Sequence, residues 1–548
     1  MSASSKKQLR HEQHAAKMTE RQLAEQNEAK KLKILTTTFV IVLVAIVAIA
    51  AVAGVSQTVT NSGIREKNTV ALTVGEHEIS NAELNYYFMD AINGFYSNYG
   101  SYASLFGLDV TKPLNEQVTN TETGATWADD FLQQAKDSAT TIYALCDAAE
   151  AAGHTLTEEQ LASVDNAVST MQLYALMYGY SDAEGYLKAV YGAGASEESY
   201  RAYYEMNLLG ESYYETYEAS LSYDDAAIAA ADAEDPTAYN YYSYNYYNLN
   251  TSKFLTGGTT AEDGTVTYSD EENAAAVAAA KSAAESLVNS GASTVDAFNM
   301  AIAALDVNAE VENAASIAAN DVAYSSILSI AQEWVADSSR KVGDIALFEN
   351  ATTSTDADGN NVTTVKGYYV VMFTGLEDNT FALKNVRHIL AQFQGGTYDD
   401  TTGITTYSDE EKAAAKAEAE QLLNAWTSGA ATEDSFAELA IEHSDDTGSV
   451  VTGGLYENVY PGQMVTAFEN WCYEEGRQVG DTGIVETEYG YHVMYFSGDS
   501  DVTFRQYMIE GTLRSTDADA WYSEIVDAMT VTDGDTKYIE MGIVLSAS

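Results

Sequence analysis

The 548-residue chain has two cysteines, three prolines, and 27 basic side chains against 82 acidic ones. Cys146 and Cys472 are too few and too far apart for a disulfide framework or a metal motif, and neither supports redox chemistry. The shortage of lysine and arginine leaves a formal net charge of −55, which argues against nucleic acid, whose phosphates need basic surface. Such a surface stays soluble by self-repulsion and attracts cations or basic polypeptides. One of the prolines, Pro236, lies in an acidic, alanine-rich stretch at 223–238 that reads as a linker. At this length one core is not enough, and three or four domains are expected.

Residues 34–55 contain no charge at all, and Phe39–Val52 is almost wholly Val, Ile, Ala and Leu. About 20 apolar residues span a bilayer. The basic residues flank only the N-terminal side, ending in Lys30-Lys31-Leu32-Lys33. That bias predicts a cytoplasmic tail at 1–33, a single transmembrane anchor at 34–55, and export of everything beyond it. The competing reading is a cleaved signal peptide with Ala51-Val52-Ala53 at its cleavage site. No cysteine directly follows the apolar run, so a lipid-modified N-terminus is not expected.

After a polar tether at 56–68 come a short strand at 69–74, a turn at Gly75-Glu76, and Ile79-Ser80. Ser80-Asn81-Ala82-Glu83 has the spacing of a capping box and predicts a helix start. Residues 81–222 read as mostly helical and rich in tyrosine. Such stripes are more often core than binding surface, although tyrosine also suits sequence-tolerant binding. Beyond the linker the chain repeats itself. Thr267-Tyr268-Ser269-Asp270-Glu271-Glu272 is matched by Thr406-Tyr407-Ser408-Asp409-Glu410-Glu411, each ahead of an alanine-rich helix. Likewise Gly367-Tyr368-Tyr369-Val370 is matched by Gly490-Tyr491-His492-Val493. Two tandem copies are expected, at 239–378 and 381–499. The remaining 500–548 segment opens with Phe504-Arg505-Gln506-Tyr507 and carries a short helix at 518–529 and a strand-like end. It is too small to stand alone, so it is expected to dock on the helical lobe at 69–238.

The second copy holds the chemistry. It opens with Arg387-His388-Ile389-Leu390, and at each end of the copy one histidine, His388 or His492, sits in an alternating apolar run that reads as a half-buried strand. Phe436-Ala437-Glu438-Leu439-Ala440 follows in a helix, then Ser444-Asp445-Asp446, Gly453-Gly454, the pair Met464 and Phe468, and Gly490-Tyr491-His492-Val493. This ordered set resembles the parvulin (PpiC-type) family of peptidyl-prolyl isomerases. The strand–turn–capped-helix start at 69–83 more loosely resembles the N-terminal chaperone lobe of SurA- and PrsA-type extracytoplasmic foldases. The fold class implied is multidomain α+β: an N-terminal transmembrane helix, a mainly helical chaperone lobe completed by the C-terminal segment, and two parvulin-like domains with small antiparallel sheets.

An X–Pro amide resists rotation by about 18–20 kcal/mol because twisting breaks its resonance. A catalyst needs no nucleophile, metal or cofactor, only an apolar socket for the proline ring and a polar floor complementary to the twisted amide. By the resemblance, Met464 and Phe468 form that socket, spaced four apart as on one helical face, with Leu455 as a further candidate. The resemblance also implies that His388 and His492 lie on adjacent strands with their rings hydrogen-bonded, and that Thr487 and Asp446 complete the network. Asp446 stands where parvulins carry Cys or Asp, which favours an electrostatic over a covalent role. His443 and Asp445 read as ordinary loop residues.

The chain departs from the family at Gly453-Gly454-Leu455-Tyr456-Glu457, which lacks the family's usual aspartate and third glycine. No basic cluster precedes the site, so phosphoserine selection is not expected. The first copy has Tyr369 in place of the second histidine and no Arg-His in its opening strand, Tyr246–Asn250. It reads as a catalytically inert spacer or peptide-binding module. The expected function is that of a membrane-anchored extracytoplasmic isomerase and chaperone for newly exported, unfolded polypeptides. The rival is a non-enzymatic holdase or cell-surface binding protein using the same folds as scaffold.

Overall fold

The computed structural model describes residues 63–355, 359–399 and 402–545. They form two compact units, one from Tyr223 to Glu510, the other joining the chain up to Ser222 with the chain from Gly511 onward. The uncharged run at 34–55 and the tail before it lie outside the described residues. Among the described residues no helix is long and apolar enough to cross a membrane.

In the unit that holds residues 63–222, β1 (Val70–Val74) and β2 (His77–Ser80) make a hairpin that runs straight into α1 (Asn81–Tyr99). Ser80 caps this helix by accepting a hydrogen bond from the Glu83 amide. The reciprocal half of the expected capping box is not made. The Glu83 carboxylate instead accepts from Tyr143 Oη, and burial raises its pKa. A tertiary partner has taken the side chain that local spacing assigned to the cap.

Helices α2 (Trp127–Ala152), α3 (Glu158–Met177), α4 (Ala183–Tyr191) and α5 (Glu197–Ser220) complete the helical part. Three of them start at reciprocal capping boxes: Thr126 with Asp129, Thr157 with Gln160, and Ser196 with Ser199. The tyrosines are divided between core and surface. Tyr86, Tyr87, Tyr186 and Tyr200 are buried with Phe88 and Phe131, and Tyr86 Oη meets Ser199 Oγ at 2.9 Å, which satisfies its polar tip.

In the unit from Tyr223, the stretch that reads as linker contains a helix, Asp225–Glu234, because Asp224 caps it. Then come β3 (Tyr241–Asn250), α6 (Asp270–Val288), α7 (Val295–Ala303), β4 (Ile317–Ala323), β5 (Ile345–Thr355) and β6 (Asn361–Glu377). A second set follows: β7 (Ala382–Gln392), α8 (Asp409–Ser428), α9 (Glu433–His443), β8 (Leu455–Val459), α10 (Thr466–Cys472), β9 (Thr482–Glu486) and β10 (Gly490–Thr503). Each set makes a four-stranded antiparallel sheet of the same order, β4-β3-β6-β5 and β8-β7-β10-β9.

The likeness extends to single hydrogen bonds. Glu272 caps α6 with Ser269 and accepts from the Gly258 amide, while Glu411 caps α8 with Ser408 and accepts from the Gly396 amide, both at 2.9 Å. In the first sheet Gly367 lies opposite Asn250, and in the second Gly490 lies opposite Gln392. Counting back from these pairs puts Tyr246 and Tyr369 where the second sheet has His388 and His492.

The C-terminal segment differs from its sequence reading. One helix, α11 (Phe504–Asp527), replaces the short helix expected at 518–529. Its start is set by Thr503 and Gln506, which make reciprocal side-chain-to-amide bonds. Beyond it β11 (Val531–Asp533) pairs antiparallel with β1, giving the order β11-β1-β2. Trp521 stacks on Tyr217 with ring centroids 3.8 Å apart.

Candidate active site

The pleat of β7 sorts its side chains. Ile389 and Ala391 face α8 and α9 in one apolar cluster with Trp426 and Phe436. Val386 faces the other way, into a cluster with Phe468, Met494 and Phe496. His388 shares the second face, as the period of two requires. There its Nδ1 lies 2.9 Å from Nδ1 of His492 on the adjacent β10. His388 Nε2 lies 2.9 Å from Asp446 Oδ2, and His492 Nε2 lies 2.8 Å from Thr487 Oγ1. Asp446 Oδ2 also accepts from Ser449 Oγ at 2.5 Å and from Tyr456 Oη at 2.9 Å.

These contacts fix the protons when both rings are neutral. A carboxylate only accepts, so His388 Nε2–H donates to Asp446 and its Nδ1 must accept. His492 Nδ1–H is then the donor between the rings, and Thr487 O–H donates to His492 Nε2. The result is one directional chain from Thr487 through both imidazoles to Asp446. His388, His492 and Asp446 are 2%, 5% and 6% exposed, and Thr487 at the outer end is half-buried. Burial, with His388 alongside, pulls the His492 pKa down to about 3.

That depression makes stability depend on pH. In the unfolded chain His492 takes a proton near its ordinary pKa of about 6.5, whereas the folded protein refuses it until about pH 3. Stability from this group is therefore complete above pH 6.5 and is lost as pH falls toward 3. Between pH 6.5 and 5 the slope should approach about 1.4 kcal/mol per pH unit. Urea midpoints for this unit measured across that window should show it, and His492→Asn should be less stable at pH 7 but lack the slope. An unchanged slope in the variant would contradict the assignment.

Phe468 closes the floor. Its ring stands edge-on to both imidazoles, with centroids 5.3 Å from His388 and 5.4 Å from His492. Met464 packs half-buried against the same cluster, but not from one helical face with Phe468. Helix α10 begins at Thr466 behind an extended Val465, so Met464 approaches from the preceding turn. Leu455 is placed differently from its sequence reading. It lies opposite Arg387, on the helix-covered face of the sheet, and its neighbour Tyr456, opposite Val386, takes the site face. Tyr456 and Ser449 are the residues that sequence reasoning missed. The signal for Tyr456 was its alternation with Leu455 along a strand.

The Gly453-Gly454 loop is held by its backbone. Arg387 pairs with Glu433 and donates through Nη1 to the carbonyls of Thr452 and Gly453. Gly454 sits at φ +72, and a Cβ there would lie 2.1 Å from the His388 carbonyl oxygen. Gly454→Ala should therefore cost at least about 2 kcal/mol in left-handed strain and displaced backbone. Chemical denaturation of the variant checks this, and a midpoint equal to wild type would contradict it. His443 is half-exposed and outside the network. Asp445 accepts from the Gln392 amide at 2.9 Å, a loop staple.

Residues 368–498 match the PPIC-type PPIASE domain. The chain is 39% identical over 61 residues to foldase protein PrsA 1 of Listeria innocua and 44% identical over 62 residues to foldase protein PrsA 3 of Bacillus cereus. Each match covers 11% of this chain and 21% of the relative, so the chain spans about a fifth of the curated relatives it matches. A crystal structure of the PrsA peptidylprolyl isomerase from Bacillus anthracis aligns at 20% identity over 28% of this chain and 59% of that one, with a TM-score of 0.17. The second repeat of this chain is therefore a PPIC-type, parvulin-class peptidyl-prolyl isomerase domain.

Proposed function

We propose that the chain is a membrane-anchored extracytoplasmic foldase that isomerises X–Pro bonds in newly exported, unfolded polypeptides and also shields those clients from aggregation. One observation carries the reading: the unbroken chain Thr487–His492–His388–Asp446 lies beneath an apolar floor of Phe468 and Met464. Proline's ring would sit on that floor. The twisting amide would meet a fixed array of dipoles and one carboxylate, with no reorganisation needed at the barrier. His388, His492, Thr487 and Asp446 supply the polar array, and Met464 and Phe468 the socket, with Tyr456 as its polar wall in place of Leu455.

The helical lobe that the sequence places at 69–238 with 500–548 would hold clients, with 239–378 as an inert copy and 381–499 as the isomerase. The uncharged 34–55 run behind a basic tail supports an anchor with the bulk outside the cell. Two measurements test the proposal. The full-length chain should accelerate cis/trans exchange of an Ala-Pro peptide, which a pure holdase would not do. Protease added to intact protoplasts should remove everything beyond about residue 60. Protected domains would refute the orientation, and a mature chain starting near Gly54 would refute the uncleaved anchor.

A further inference from the structure

The unit containing residues 63–222 has a cleft of about 400 Å³ far along the sequence from the proline socket, where α2, α5 and α11 meet. Ile142 and Leu145 of α2 line it, with Tyr214 of α5 and Tyr522 of α11. Glu211, Glu215 and Asp519 also line it, and no basic side chain does. Glu211 and Glu215 are one helical turn apart, a spacing at which like charges destabilise a helix. The walls are built: Tyr214 Oη donates to Asp519 at 3.1 Å and Tyr522 Oη meets Thr141 Oγ1 at 3.3 Å, tying the three helices together.

We infer that this cleft binds a cationic side chain, arginine or lysine, of an unfolded client polypeptide. The volume suits a small ligand group rather than a folded partner. The aliphatic stem of such a residue would lie along Ile142, Leu145 and the two tyrosine rings, while its charged head met the three carboxylates. Charge complementarity selects this occupant over an apolar or acidic one. The inference rests on the reading of this chain as a protein that handles unfolded polypeptides. It adds a recognition element that does not depend on proline.

The test uses the full-length chain and a fluorescein-labelled, proline-free Gly/Ser peptide of twelve residues with a central Leu-Arg-Leu, read by anisotropy. The comparison peptide carries Leu-Gln-Leu. The arginine peptide should bind at least about tenfold tighter at low salt, with the advantage shrinking as salt rises. Combining Glu211→Gln, Glu215→Gln and Asp519→Asn should erase the preference. Glu122→Gln, Glu310→Gln and Glu312→Gln together make the same change in net charge at exposed positions elsewhere and should keep it. Equal binding of the two peptides, a preference surviving in the cleft variant, or one lost in the control variant would each overturn the inference. Exchange of an Ala-Pro peptide, followed in parallel, should be unchanged in the cleft variant. A missing arginine preference with normal exchange rejects the cleft alone, and missing exchange rejects the isomerase reading.

Discussion

Asp446→Ala should lower kcat/KM for an Ala-Pro peptide by about 100-fold or more, the scale of losing one preorganised electrostatic group. Asp446 Oδ2 receives hydrogen bonds from His388, Ser449 and Tyr456. Removing the carboxylate takes away the acceptor shared by Ser449 and Tyr456 and leaves His388 Nε2 facing only Ser449 Oγ, 3.1 Å away, at a stability cost of roughly 2 kcal/mol or more. It also removes what orients the protons, because His388 Nε2 no longer has to donate. Asp446→Asn separates these effects. It keeps the size and an accepting oxygen, so it should fold while losing much of the rate. If folded Asp446→Ala isomerises at the wild-type rate, the network is scaffolding and the chemistry lies elsewhere.

The double change His388→Ala with His492→Ala should abolish measurable isomerisation and leave suppression of client aggregation within about twofold of wild type. The sheet around the pair is pinned on both faces, by Ile389, Val493 and Trp426 on one side and by Val386, Met494 and Phe496 on the other. The two truncations therefore open a cavity that these neighbours can bridge, and circular dichroism should show the fold retained. Client holding is assigned to helices that belong to the other compact unit, so it should survive. Loss of both activities in a folded variant would show that holding also depends on the isomerase site.

Much of the candidate site was legible because an ordered set of short motifs resembles the parvulin family, while periodicity by itself placed only His388 and His492 on half-buried strands. Two strands with one histidine each, a glycine pair and a Met/Phe pair can be read without knowing how they pack. What failed to show was long-range. Glu83 has the spacing of a capping residue, yet Tyr143, 60 residues on, takes its carboxylate. Met464 and Phe468 have helical spacing, yet the helix starts between them. Leu455 and Tyr456 could not be told apart until the register of β8 on β7 was known, since a shift of one residue exchanges the two faces. Ser449 reaches Asp446 through a turn that no periodic pattern announces. Helix α11 is longer than its apolar periodicity indicates, because Thr503 and Gln506, its reciprocal cap, lie before the stretch with a clear apolar face.

Isomerisation is expected of the second repeat and not of the first. Exchange spectroscopy of an Ala-Pro peptide with the full-length chain tests it most directly, comparing two paired variants at equivalent positions. Replacing His388 and His492 with alanine should return exchange to the uncatalysed rate, whereas replacing Tyr246 and Tyr369 with alanine should leave it at the wild-type rate. The reverse outcome, or catalysis surviving in the histidine pair, would place the chemistry outside the second repeat's histidines.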